Sequence, residues 1–161
     1  MIDQSTVFLS ALFAVYPRLS DLRMEIRPLH PAHKQAELYP DGDAPFNWAS
    51  RTPWGAREWF TLDEVGIRRA ACHAVSLSDR YETYMGVLPR VGRTGKQSNV
   101  TLAGYLWADV DGGSEGVQGA LKRIADAGLP TPHIVVVSGN GVHAYWKLSE
   151  LVALADEKSR R

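Results

Sequence analysis

Two short segments of this chain carry residue types at spacings suited to chemistry on phosphates. Asp109 and Asp111 stand at i and i+2 in the run Leu106-Trp107-Ala108-Asp109-Val110-Asp111. On an extended strand, alternate side chains share a face and lie roughly 6.6 Å apart along the chain. Two carboxylates so placed converge on one divalent cation or a close pair, as in-line phosphoryl transfer requires. The second segment, Ser138-Gly139-Asn140-Gly141-Val142-His143, brings a histidine out of a glycine-rich turn. Backbone N–H groups of Gly139, Asn140 and Gly141 would form an anion-binding concavity, with His143 donating to a phosphate oxygen. Together the segments read as a nucleotidyl-transfer site with Asp109, Asp111 and His143 at its centre. Arg90, Arg93 and Lys96 add positive charge for a triphosphate, and Tyr105 and Trp107 offer rings for stacking on a base or sugar.

The elements around these residues decide whether they meet. Tyr105, Trp107, Asp109 and Asp111 alternate with Leu106, Ala108 and Val110, so Ala103 to Asp111 reads as a strand with one apolar face. Val142 to Leu148 alternates likewise, placing His143, Tyr145 and Lys147 on one side. If these strands are neighbours with polar sides aligned, the three ionisable groups share an open sheet face. Elsewhere, residues 3–16 carry helical apolar spacing behind an Asp3 or Ser5 cap, and Pro17 closes that helix. Leu22 to Leu29 sets Leu22, Met24 and Ile26 against Arg23, Glu25 and Arg27, a half-buried strand. Residues 30–56 read as an irregular insertion. Thr61 to Glu64 is a capping box opening a second helix. Tyr81 to Val87 reads as a strand, followed by a basic loop from Pro89 to Asn99. Ser114 caps a helix that Gly128 stops, Ile134 to Val137 is a short strand, and a helix is expected to begin at Ser149. This order predicts one α+β domain over residues 1–161, with helices packed on one face of a mainly antiparallel sheet.

Bulk properties narrow the setting. Eighteen basic and eighteen acidic residues cancel, so any nucleic-acid binding must come from a local patch. Cys72 is the sole cysteine, which excludes an intrachain disulfide and fits a reducing, cytoplasmic compartment. The chain lacks an apolar run of membrane-spanning length and a signal-peptide start, so no membrane association is expected.

Three competing motifs fail on position. A calcium loop counted from Asp109 needs glycine and glutamate where Ser114 and Ala120 stand. Gly139-Asn140-Gly141-Val142-His143-Ala144 fits the dinucleotide fingerprint formally, but the following residues alternate as a strand rather than opening a helix. Gly95-Lys96 lacks the upstream glycine of a phosphate loop, having Arg90 there, and Gln97 replaces the hydroxyl residue. His30, His33, His73 and His133 read as structural, Trp48, Trp54 and Trp59 as packing residues, and Cys72 as a buried small side chain.

The two segments, taken with Val136 to Leu148 as a whole, resemble the archaeo-eukaryotic primase superfamily. More narrowly they resemble RepB-type primase–polymerase domains of plasmid and phage replication proteins. Glu25-Ile26-Arg27-Pro28, Trp59-Phe60 and Tyr84 to Arg90 are similar to further segments of that group. The resemblance implies an RNA-recognition-motif-like sheet and template-directed nucleotide addition dependent on Mg²⁺ or Mn²⁺. It assigns metal binding to Asp109 and Asp111, nucleotide phosphate binding to His143 with Ser138 nearby, and a phosphate contact to Arg90. A single-stranded DNA template, nucleoside triphosphates and a helicase domain or protein are the implied partners. The family's third motif, a further Asp followed by an Arg-rich segment, is not met before Arg161, and Asp156 and Glu157 do not fit it. A fragment of a longer replication protein, or a truncated relative, is therefore expected. Two rivals stay open: a non-catalytic nucleotide- or single-stranded-DNA-binding module, and a metal-dependent nuclease.

Overall fold

A computed structural model describes residues 4–19, 21–29 and 55–154. In chain order the elements are α1 (Gln4–Phe13), β1 (Leu22–Leu29), β2 (Glu58–Thr61), α2 (Glu64–Ser78), β3 (Glu82–Met85), β4 (Arg90–Val91), β5 (Leu102–Asp111), α3 (Gly116–Asp126), β6 (Ile134–Val137) and β7 (Gly141–Ala153). The fold is α+β, and among the described residues every strand pairing is antiparallel. The strands divide between two sheets. One has the order β2-β1-β3 with β4 also paired to β1, and the other the order β5-β7-β6.

The alternation in β1 does what its pattern predicts. Leu22, Met24 and Ile26 are buried beneath α1, which contributes Leu9, Leu12 and Phe13, and α2, which contributes Ile67, Ala70 and Ala71. Small residues on α2 let the helix approach the sheet closely. Arg23, Glu25 and Arg27 consequently share the opposite face with their cross-strand partners Thr61, Trp59 and Tyr84. A smaller core lies under α3, where Ala120 and Ile124 pack on Val142 and Ala144.

Helix α1 ties the sheets together. The Tyr105 hydroxyl donates to the Ala11 carbonyl at 3.2 Å, and the Phe8 and Tyr145 rings lie 5.5 Å apart. Tyr16 Oη accepts the buried Gly104 N–H at 2.9 Å. Burial pushes the Tyr16 phenol up to about 12, against the downward pull of that hydrogen bond.

Several sequence expectations need correction. Thr61 ends β2 instead of opening a helix; Asp63 is the cap of α2, and its carboxylate accepts Gly66 N–H at 2.8 Å. Ser114 lies in a 3₁₀ turn and α3 starts at Gly116. No helix begins at Ser149, because β7 continues through Ala153. After an irregularity in the register, Val152 and Ala153 pair with Ala103 and Leu102, satisfying backbone groups that would otherwise be left at the end of β5. Cys72 is exposed, since α2 turns Ala70 and Ala71 inward instead. The expectations for Asp3, for residues 30–54, including His30, His33, Trp48 and Trp54, and for Asp156 and Glu157 lie outside the described residues. Among the described residues no helix is long and apolar enough to cross a membrane.

Candidate active site

The two chemically suggestive segments lie side by side. Asp109 on β5 is the cross-strand partner of His143 on β7, Trp107 is opposite Tyr145, and Asp111 is opposite Gly141. Directly opposed residues in an antiparallel pair share a face, so the polar sides of the strands are aligned. His143 Nε2 lies 3.6 Å from Asp109 Oδ1, with the side chains 43% and 76% exposed respectively. Gly141 makes this approach possible: a Cβ there would lie 2.2 Å from the Val110 carbonyl oxygen.

The turn before His143 is a two-residue loop. Ser138 N–H donates to Gly141 O at 3.1 Å, closing the hairpin. Gly139 takes φ +83°, in the region that glycine favours. The Ser138 N–H is therefore committed, while those of Gly139 and Asn140 make no backbone bond among the described residues. Asp111 is anchored at the end of β5. Its Oδ1 accepts Gly113 N–H at 2.8 Å, and its carbonyl accepts from Arg123 Nη1 of α3 at 2.7 Å.

A cleft of about 780 Å³ opens between this face and β3. Trp107, Asp109, Ser138, His143 and Tyr145 line one wall, and Glu82, Tyr84 and Met85 line the other. Trp107 is 49% exposed and free to meet a ring. Tyr145 is held neutral: burial pushes its phenol up, and the Asp109 charge adds to the effect. Tyr84 donates to Glu82 Oε2 at 3.1 Å, and burial, followed by that carboxylate, raises its phenol too.

Other expected contacts go elsewhere. Tyr105 is 3% exposed beneath α1, so its ring is closed to stacking. Arg90 does not line the cleft, because its Nη1 pairs at 3.1 Å with the buried carboxylate of Glu25, which also holds Arg57 Nε at 2.8 Å. Lys96 precedes the 3₁₀ turn at Gln97–Asn99 and is exposed away from the lining residues. His133 does have a structural role, its Nδ1 accepting Lys147 N–H at 3.2 Å, and His73 stacks near Phe60. Sequence reasoning missed Glu82 and Arg123, which reach the site only through tertiary packing. Arg123 carries a partial signal as a basic residue in the last turn of α3.

The donor chemistry suits a hard cation. Asp109 and Asp111 supply carboxylate oxygens, and no third His, Cys, Asp or Glu joins them in a metal-holding group among the described residues. Such a pair fits a divalent ion that takes its remaining ligands from water and substrate phosphates, as Mg²⁺ and Mn²⁺ do.

No protein-family model matches the chain, and no curated protein matches it. Among solved structures, the chain is similar to the AEP domain (PP-N190) of the cyanophage S-2L primase-polymerase, with a TM-score of 0.55 at 13% sequence identity. The match covers 93% of this chain and 64% of that one, so the chain spans a little under two thirds of its neighbour's length. At this identity the likeness is one of fold: the chain has the fold of an archaeo-eukaryotic primase domain.

Proposed function

We propose that this chain is a primase–polymerase catalytic domain, or most of one, from a cytoplasmic mobile-element replication protein. It would transfer nucleotides from NTP or dNTP onto a primer or initiating nucleotide, directed by a single-stranded DNA template and working with a helicase. The observation that carries this reading is the facing pair Asp109–His143 beside a large cleft, with Asp111 two residues along the same strand. The archaeo-eukaryotic primase fold supports it.

Asp109 and Asp111 would hold Mg²⁺ or Mn²⁺. Held there, the metal would supply charge neutralisation on the phosphates, so that the primer 3′-oxygen could attack the α-phosphorus in line with pyrophosphate leaving. His143 hydrogen-bonds a phosphate oxygen, and the N–H groups of Gly139 and Asn140 beside Ser138 receive another. Trp107 stacks on the base or sugar. Arg90 stays outside this assignment because the Glu25 carboxylate holds its guanidinium, and Lys96 because it lies beside the 3₁₀ turn at Gln97–Asn99 and not on β5, β7 or the turn before β7.

Primer extension on an oligonucleotide template with Mn²⁺ and either dNTPs or NTPs tests the proposal, with Asp109→Ala as control. Extension by the native chain and its loss in the variant are expected. Equal signal, or none, from both chains contradicts the enzyme reading. The open carboxylate pair, without a third partner among the described residues, favours as second reading a module that binds nucleotide without turnover. Nucleotide binding with no extension would select it. Strand cleavage without any triphosphate would instead mark a nuclease.

A further inference from the structure

A second concave surface lies at the β2 edge of the first sheet, away from the β3 edge that borders the Asp109 cleft. It encloses about 380 Å³ and is lined by Arg23, Arg57, Arg69 and Arg93 with Trp59, against a single carboxylate among the described residues, Glu58. These arginines come from β1, the segment before β2, α2 and the loop after β4. The fold therefore concentrates positive charge from four distant stretches of a chain with no net charge.

The groove is built rather than incidental. Glu25, 10% exposed, binds Arg57 through Nε at 2.8 Å and so fixes where that guanidinium sits. The Arg57 guanidinium lies across bare backbone at Gly95, where a Cβ would sit 2.1 Å from Nη1. Trp59 is the cross-strand partner of Glu25, so its half-buried ring shares this face. Arg69 and Arg93 are exposed and make no ion pair among the described residues.

We propose that this arginine groove is a second, non-catalytic nucleic-acid site, which grips the sugar–phosphate backbone of a single strand without metal. Guanidinium groups from four separate stretches of the chain suit a run of phosphates, and the half-buried Trp59 ring beside them suits a splayed base. A duplex would offer no free base for Trp59. The inference stands on the groove's own residues and does not depend on nucleotidyl transfer at the Asp109 cleft.

Fluorescence anisotropy with labelled oligothymidylate, in EDTA and without triphosphate, tests it over a range of salt. Binding is expected to weaken as salt rises, with a logarithmic slope of about 0.7 per phosphate contact. Arg69→Ala with Arg93→Ala should weaken binding at least tenfold and reduce that slope by about 1.4. Asp109→Asn should leave both unchanged. Because both arginines are exposed and outside the core, the variant's melting temperature should match the native one, and Arg69→Lys with Arg93→Lys should recover part of the affinity. Unchanged affinity and slope in the alanine variant overturn the proposal. So does competition by free dTTP equal to that of the oligonucleotide, which would mark a mononucleotide site. With no metal or nucleotide present, failure here leaves the catalytic reading untouched, and failure of primer extension leaves this result untouched.

Discussion

The two concave surfaces handle charge in opposite ways. Among the described residues, the cleft beside β5 and β7 presents Glu82 and Asp109 with no lysine or arginine in its lining, whereas the groove at β2 presents four arginines against one glutamate. A triphosphate approaching the first would meet like charge, which a divalent cation held by the carboxylates would offset. A phosphate chain approaching the second meets complementary charge directly. The difference teaches that binding at the two surfaces should separate experimentally, metal dependence marking one and salt dependence the other. A chain with zero net charge can thus still carry a strongly basic local surface.

The largest expected effect breaks the cleft alone. Asp109→Asn combined with Asp111→Asn should lower primer extension by roughly 10³-fold or more while oligonucleotide binding stays within about twofold. The melting temperature should hold or rise, because removing two nearby carboxylates relieves like-charge repulsion. A large drop in melting temperature would mean that the pair is structural.

Next in size is Glu25→Gln, which strikes the groove from below. The buried carboxylate serves both Arg57 and Arg90, and its loss leaves two guanidinium groups poorly compensated. Urea unfolding should show destabilisation of about 3 kcal/mol. Oligonucleotide affinity should fall as Arg57 loses its anchor. Full stability with full binding would show that Glu25 does not organise this surface.

His143→Ala should reduce nucleotide affinity about tenfold, equivalent to ~1.4 kcal/mol, through loss of one phosphate contact. Titration of a fluorescent dNTP in Mn²⁺ reports it, and binding of the oligonucleotide in EDTA should not change.

A smaller effect tests the scaffold that both surfaces share. Tyr16 has its phenol raised from 10.0 to about 12, so its neutral form is favoured in the fold. That contribution is complete below pH 10 and is lost as pH rises through 12. Tyr16→Phe should therefore flatten the alkaline decline in melting temperature between those values. An identical decline in both proteins would place the responsible group elsewhere.

The candidate cleft was largely legible because period-two alternation is a local signal. Leu22 to Leu29 matched β1 by that alternation, Ile134 to Val137 matched β6 as a short apolar run, and the shared face of Asp109 and His143 followed from counting along two strands. What failed was long-range. Tyr105 sits on the correct face but at the end of β5 that α1 covers, so face alone could not tell a stacking ring from a core ring. Arg90 is in a basic loop by sequence, yet its partner Glu25 lies on a strand far earlier in the chain. β2 is four residues long, too short for periodicity to show. The arginine groove was invisible for the same reason, its members being spread between Arg23 and Arg93; only the Arg23-Glu25-Arg27 alternation hinted at a charged sheet face.

Calorimetric titration of dTTP with and without Mn²⁺ tests the central claim most directly, comparing the native chain with the Asp109→Asn, Asp111→Asn variant. The account predicts that Mn²⁺ strengthens dTTP binding at least tenfold in the native chain and has no effect in the variant. An equal Mn²⁺ effect in both proteins would contradict the assignment of these carboxylates to a metal-dependent nucleotide site.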